Sequence, residues 1–257
     1  VTLCAALAAL AAAAAAVRAL PVISMPNLGA VVLLLVALLD LSLRLASGSG
    51  IAALELRISP YKSLSYALQY PGAEVIYRRW NAFSRVDVVR SGSIHSVPGL
   101  SYRYLQPPPA MDGLLVDGDD MNPLPQTMSD AAFTAYLPNA VVFQLRPQAD
   151  ALILGPRGGL DILTALSLSS GRVTAVEANP LVTAAAPVYN QPRVELRVES
   201  ERSFLQRSQT KYDVIVLSLT SSYHPVQSGA YTLAEDYRCT LESFQAILKH
   251  LEPDGLL

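Results

Sequence analysis

From residue 150 onward, apolar runs of strand length alternate with segments of helical pattern. This alternation constrains the fold more than any other feature of the chain. ALILG (151–155) leads into GGLDILTALSLS, and RVTAVEA (172–178) into PLVTAAAPVYN. RVELRVE (193–199) leads into RSFLQRS, and YDVIVLSL (212–219) precedes LAEDYRCTLESFQAILKHL. Short apolar runs suit strands buried on both faces, and the intervening helices supply the crossovers that parallel strands require. The expected fold class is α/β with a parallel sheet.

Ahead of this region the pattern changes. AEVIYRRW (73–80) and SRVDVVRS (84–91) are rich in β-branched and aromatic residues, with the turn near Asn81 to Phe83, and GLLVDG (113–118) follows the stiff QPPP at 106–109. These stretches predict a small antiparallel β unit. Tyr77, Arg78 and Arg79 are either substrate contacts or an exposed strand face. Ser59-Pro60 is a helix-opening pair. Asp117, Asp119 and Asp120 have the look of a metal cluster, but an Asp-Gly-Asp-Asp turn after a strand is the preferred reading. The expected divisions are 1–50, 51–125 and 126–257.

Residues 1–50 carry only three charges, Arg18, Asp40 and Arg44, in a chain that is 51% hydrophobic and 16% charged. Two nearly charge-free runs separated by Pro21, Pro26 and Asn27 predict N-terminal transmembrane helices at about 2–20 and 28–46. A signal peptide or a buried helix pair are the alternatives. The anchor implies a membrane location (inner or plasma membrane), lipid contact, and an α/β domain on the cytoplasmic side. Arg44, Arg57 and Lys62 favour that orientation. A first residue of Val and an ending in EPDGLL, a helix exit opening into an apolar strand, predict a fragment.

Formal net charge is −2, without a basic stripe, which argues against nucleic acid. Cys4 and Cys239 form no disulfide framework, and His95, His224 and His250 stand without a ligand partner at metal spacing, so no metal is expected.

The candidate site lies where the first strand of the α/β region ends. The turn GPRGG brings Gly155, Gly158 and Gly159 to the start of a helix, where backbone amides can approach a ligand and the helix end favours negative charge. Glu177 follows Gly155 by 22 residues, at the end of the next strand. A carboxylate so placed accepts from both hydroxyls of a ribose. A solvated strand-end charge is the alternative. The glycine spacing is not G-x-G-x-x-G, which disfavours NAD.

These residues resemble the spermidine synthase (polyamine aminopropyltransferase) family. ALILGPRGGLDIL matches its strand and GGGDGG turn, VTAVEANP its V-E-I-D-P, and RVELRVESERSFL its R-V-E-V-x-x-G-D-A-x-x-F-L. YDVIVLSLTS matches Y-D-V-I-x-x-D-S-S-D, CTLESFQAILKHLEPDG matches its F-T-E-E-F-Y-E-L-x-K-R-x-L-K-P-G-G, and LLVDGDDM its L-x-L-D-G-x-x-Q strand. The resemblance spans about residues 57–257, and the apolar leader is similar to the membrane-fused branch. It implies a Rossmann-like sheet of the class I methyltransferase type. It also implies S-adenosylmethionine or its decarboxylated form as cosubstrate, a small-molecule acceptor, and a homodimer through the β-rich unit. The implied nucleoside contacts are Gly155, Gly158, Gly159, Glu177 and Ser200.

The departures fall on the acids. The family's turn aspartate falls on Gly158, with Asp161 three residues on. Its glutamine falls on Met121, its adenine-binding aspartate on Ser200 (between Glu199 and Glu201), and its Y-H-E segment on Thr134, Ala135 and Tyr136. Its D-S-S-D places Ser218 and Ser221 at the acid positions. Replacement carboxylates are Asp161, Glu199, Glu235 and Asp236. Asp161 is alternatively a helix N-terminal charge. Glu235 and Asp236 either cap the long helix or enter the site. The functions left open are a transferase of the aminopropyl or methyl kind, a catalytically silent nucleoside-binding or scaffold domain, and an NAD enzyme.

Overall fold

The structure is a computed structural model, described for residues 25–47, 58–129, 131–218 and 237–257. It divides into two units, Val1–Arg57 and Ile58–Leu257.

In the first unit, helix α1 covers Met25–Ser47. No helix among the described residues is long and apolar enough to cross a membrane. This corrects the expected transmembrane helix at 28–46, and with it the membrane location built on it. The reason lies in the charges. Between Asn27 and Asp40 the helix has only residues 28–39 of uninterrupted apolar character, about 18 Å at 1.5 Å per residue. A bilayer core is about 30 Å thick, and Asp40 ends the apolar run short of that length. The earlier segment expected at 2–20 lies outside the described residues.

The second unit contains two sheets. The antiparallel sheet has order β1-β2-β3-β4, formed by Glu74–Trp80, Arg85–Arg90, Met111–Val116 and Asp119–Pro125. Strands β3 and β4 meet at Asp117-Gly118, both at positive φ (54° and 75°). This is the tight two-residue hairpin that Asp-Gly favours. The Asp117 carboxylate accepts the Arg85 backbone N–H at 2.8 Å, and Asp119 accepts the Ser63 N–H at 3.2 Å and pairs with Lys62. Asp117 and Asp119 therefore fasten the turn to β2 and to the short helix α2 (Ser63–Ala67). The sequence pattern did not show β4, because Pro123 and Pro125 interrupt it. An edge strand tolerates them, since its outer N–H groups need no ladder partner.

The parallel sheet follows a short 3₁₀ turn (Ala132–Tyr136) and helix α3 (Ala140–Leu145). Its strands are β5 (Ala151–Leu154), β6 (Val173–Val176), β7 (Val194–Arg197), β8 (Tyr212–Leu217) and β9 (Leu251–Leu256), in the order β7-β6-β5-β8-β9, all parallel. Helices α4 (Leu160–Leu168), α5 (Pro180–Ala185), α6 (Glu201–Arg207) and α7 (Leu241–Lys249) alternate with them. Helix α5 ends where Pro187 begins a 3₁₀ turn, so the segment expected as one helix is split.

Alternation along β5 shows why its run is wholly apolar. Ala151 and Ile153 face one core together with Ile162, Ala165 and Val182. Leu152 and Leu154 face the opposite core with Phe204, Ile215 and Ile247. Truncating such a residue to Ala typically costs about 2–5 kcal/mol. The first core also contains Val86, Val88 and Leu114 of the antiparallel sheet, so the two sheets share one interior.

Candidate functional site

In this strand order the chain leaves β5 toward β6 on one side and later returns to place β8 on the other. The crevice at the carboxyl ends of β5 and β8 is thus the topological switch point, where open α/β sheets bind ligands. The Gly155–Gly159 turn and Ser218 both lie there.

The turn is held in an uncommon shape. Gly155 has φ 65° and Gly159 φ 88°, and Arg157, which has a side chain, has φ 50°. A left-handed residue other than glycine or asparagine is strained by about 1–3 kcal/mol unless its surroundings hold it. Here two buried groups do so. The Arg157 N–H donates to Glu177 Oε2 at 3.3 Å, and the Tyr189 hydroxyl donates to the Arg157 carbonyl at 2.8 Å. Burial and the neighbouring Glu177 charge push the Tyr189 phenol well above its ordinary value, which keeps it a donor.

Glu177 is 5% exposed. Its Oε1 accepts the Asn179 N–H at 3.0 Å. Each carboxylate oxygen therefore holds one backbone donor and keeps a lone pair, the requirement for accepting two ribose hydroxyls.

The glycines divide by what surrounds them. A Cβ at Gly158 would lie 2.2 Å from the Pro123 carbonyl oxygen, and one at Gly159 would lie 2.2 Å from Val188 Cγ1. Both positions, expected to approach a cofactor, are packed against protein: one against β4, the other against the 3₁₀ turn at Pro187–Asn190. At Gly155 a Cβ would meet Glu201 Oε1 at 2.5 Å and Arg238 Nη1 at 3.3 Å. Glu201 and Arg238 form a loose pair at 3.9 Å, and Arg238 donates to the Ser218 carbonyl at 3.3 Å. Ser200 caps α6 by accepting the Ser203 N–H at 3.2 Å, and Glu199 pairs with Arg207. The carboxylate over Gly155 is that of Glu201, one residue beyond the position matched by sequence.

On the other side of the turn is a cavity of about 330 Å³. Asp161, in the first turn of α4, reaches into it, and the Ser218 hydroxyl donates to Asp161 Oδ2. Asn139 Nδ2 donates to Asp161 Oδ1 at 2.6 Å. Burial pushes the Asp161 carboxyl above its ordinary value, partly offset by the Ser218 hydrogen bond. The structure thus brings together Asp161 and Ser218. It adds Asn139 and Asn122, which the sequence patterns did not single out. Met121 packs under Gly113, while Asn122, the next residue along β4, lines the cavity. Thr134 is buried, and the Tyr136 ring packs tilted against that of Tyr104, with centroids 5.2 Å apart. Arg78 pairs with buried Asp87 at 2.7 Å, and the Tyr77 hydroxyl reaches the Leu181 carbonyl at 3.4 Å. Ser221, Glu235 and Asp236 lie outside the described residues. No group of acids, histidines and cysteines suited to a metal ion occurs among the described residues.

No protein-family model matches the sequence, and neither does any curated protein. Solved structures with a similar chain path include the spermidine synthase from Thermotoga maritima, at 18% identity and TM-score 0.47, over 70% of this chain and 55% of that one. A probable spermidine synthase from Corynebacterium glutamicum is similar at 16% identity and TM-score 0.43, over 72% and 62%. A SAM-dependent methyltransferase from Geobacter sulfurreducens, in complex with S-adenosyl-L-homocysteine, is similar at 17% identity and TM-score 0.32, over 46% and 44%. The chain spans about 55% of the length of the first of these.

Proposed function

We propose that the protein is a transferase that binds a sulfonium nucleoside, S-adenosylmethionine or its decarboxylated form, and alkylates a small acceptor seated beside Asp161. The observation that carries this is the division of one turn. A doubly accepting, buried carboxylate, Glu177, stands on one side. A carboxylate raised in pKa, Asp161, stands over a cavity on the other.

The sulfonium nucleoside supplies an electrophilic carbon and leaves as a neutral thioether. The chain supplies the rest. Glu177 orients the ribose through its remaining lone pairs, and the Glu201 side chain turns aside from Gly155 to admit the nucleoside. The acceptor's nitrogen or oxygen forms the new bond to carbon, and its proton passes to Asp161. Desolvation makes this carboxylate a better base than an exposed one. General bases contribute roughly 10²–10⁴-fold. The Ser218 hydroxyl holds the carboxylate in place but cannot neutralise a cation, so putrescine is expected to turn over slowly. A second reading, a silent nucleoside-binding domain, is favoured by the Glu201–Arg238 pair over Gly155.

The test is calorimetry of the full chain with S-adenosylmethionine, its decarboxylated form, 5′-methylthioadenosine and NAD, followed by turnover with putrescine. Binding of the sulfur nucleosides in preference to NAD is expected. Absence of binding by all three sulfur nucleosides overturns the proposal. A putrescine turnover on the order of 1 s⁻¹ or faster overturns the expectation that putrescine is a poor acceptor.

A further inference from the structure

Strands β1 and β2 are joined by a hairpin whose tip is residues 81–84. Two side chains of that tip, Asn81 and Ser84, meet Asn179 at the start of α5. Ser84 and Asn179 are buried. The three close a ring of hydrogen bonds. Asn81 Nδ2 donates to Asn179 Oδ1 at 2.9 Å, Asn179 Nδ2 donates to Ser84 Oγ at 2.8 Å, and the Ser84 hydroxyl donates to Asn81 Oδ1 at 3.1 Å.

The backbone fixes the direction of this ring. Asn81 Oδ1 also accepts the Phe83 and Ser84 N–H groups, at 3.1 and 2.8 Å. Flipping this amide would forfeit both bonds, so Nδ2 is committed to Asn179. Asn179 Oδ1 also accepts the Leu181 N–H at 3.1 Å, the capping bond of α5, so its Nδ2 is committed to Ser84. An amide nitrogen only donates and an amide oxygen only accepts. The Ser84 hydroxyl is therefore left one arrangement, accepting from Asn179 and donating to Asn81. Each bond of such a chain polarises the next.

Capping α5 needs only the Leu181 bond. The ring does something further, since it ties Asn179 to a hairpin 98 residues earlier in the chain. The Asn179 backbone N–H holds Glu177 Oε1, and the Arg157 N–H holds Oε2. A binding group is only as well aimed as the groups that hold it.

We propose that the Asn81–Ser84–Asn179 ring positions the Glu177 carboxylate, aiming its remaining lone pairs at the ribose hydroxyls, so that the antiparallel sheet sets the preference of the site for ribose over deoxyribose. This rests on the transferase reading for the identity of the ligand, but not for the hold on Glu177.

Two measurements on the full chain separate those claims. The first needs no ligand: hydrogen exchange at the Arg157 and Asn179 amides, both donors to Glu177. Asn81→Asp keeps the acceptor for the Phe83 and Ser84 N–H groups and loses the donor to Asn179. It is expected to speed exchange at both amides at least about fivefold relative to the amides of β5. The second compares 5′-methylthioadenosine with its 2′-deoxy analogue by calorimetry. The unaltered chain is expected to prefer the ribose form about tenfold, as for a hydrogen bond to a charged group. Asn81→Asp is expected to cut that preference to about threefold or less. Ser84→Ala is expected to act in the same direction, and Ser84→Thr, which keeps the hydroxyl, to retain the preference. Unchanged exchange at both amides in a folded variant overturns the proposal. So does equal weakening of both ligands, which leaves the ring a structural role alone. Should Asn81→Asp fail to fold, Ser84→Ala carries the same two readings. Equal affinity of the unaltered chain for both ligands removes the ribose from Glu177 and overturns the preference. A chain that binds neither ligand overturns the transferase reading, and the exchange result then decides the ring's hold on Glu177 by itself.

Discussion

The two sides of the Gly155–Gly159 turn differ in what a ligand must do to enter. On the Glu177 side the ground is already occupied: a backbone amide holds one lone pair of each carboxylate oxygen, and Glu201 and Arg238 cover Gly155. On the Asp161 side a cavity with apolar walls stands beside a carboxylate. Entry on the first side exchanges existing contacts for new ones, so its affinity depends on small differences. Entry on the second adds contacts where few exist. One turn of five residues thus separates a displaceable surface from a receptive one.

The comparison breaks most completely if the turn itself moves. Gly158→Ala places a methyl group within 2.2 Å of the Pro123 carbonyl, and backbone on both sides leaves little room to yield. A loss of about 3 kcal/mol or more is expected, read as a lower denaturation midpoint. A shift below about 1 kcal/mol shows that β4 and the turn are not in firm contact.

Glu177→Ala is next. It removes the proposed ribose acceptor and frees the Arg157 and Asn179 amides. Affinity for 5′-methylthioadenosine is expected to fall about ten- to hundredfold, or about 1.5–3 kcal/mol, in calorimetry of folded protein. Unchanged affinity removes the nucleoside from this side of the turn.

Glu201→Ala sharpens the contrast. Clearing the carboxylate from above Gly155 is expected to tighten nucleoside binding about threefold, or about 0.7 kcal/mol. Weaker binding makes Glu201 a contact instead of a cover.

The smallest effect concerns pH. Burial raises the Asp161 carboxyl in the folded chain, so the unfolded chain releases this proton first as pH rises. Stability contributed by this group therefore falls between the ordinary carboxylate pKa and the raised folded one, and remains lower above it. Asp161→Asn is expected to raise Tm at neutral pH, with the advantage disappearing in acid below the ordinary carboxylate range. An advantage that persists unchanged in acid assigns it to packing.

The parallel sheet was legible because its strands are buried on both faces, and such runs announce themselves without context. The position of Glu177 at the end of β6 was legible for the same reason, since a charge closing an apolar run is conspicuous. The roles of Gly158 and Gly159 were not, because a glycine needed by a ligand and one needed by a neighbouring carbonyl look alike in sequence. Asn139 was hidden by its own suitability as a cap. The nearly charge-free runs of the N-terminal region suggested spanning helices, but no helix among the described residues is long and apolar enough to cross a membrane. Strand β4 was lost to its prolines, and with it the Asn122 contribution to the cavity.

The shared interior of the two sheets has a consequence for the order of events on the ribosome. Val86, Val88 and Leu114 are synthesised well before Ile153, Val182 and Val188, the residues with which they share a core. The antiparallel sheet therefore emerges with one face uncovered and stays so while about seventy further residues are added, several seconds at typical elongation rates of roughly 5–20 residues per second. During that interval the hairpin at Asp117-Gly118 can close, but the sheet has nothing to close upon. The nascent chain passes through a stage in which an apolar sheet face is offered to whatever is nearby, and the protein's yield in cells depends on that face being shielded until β5 and its helices arrive.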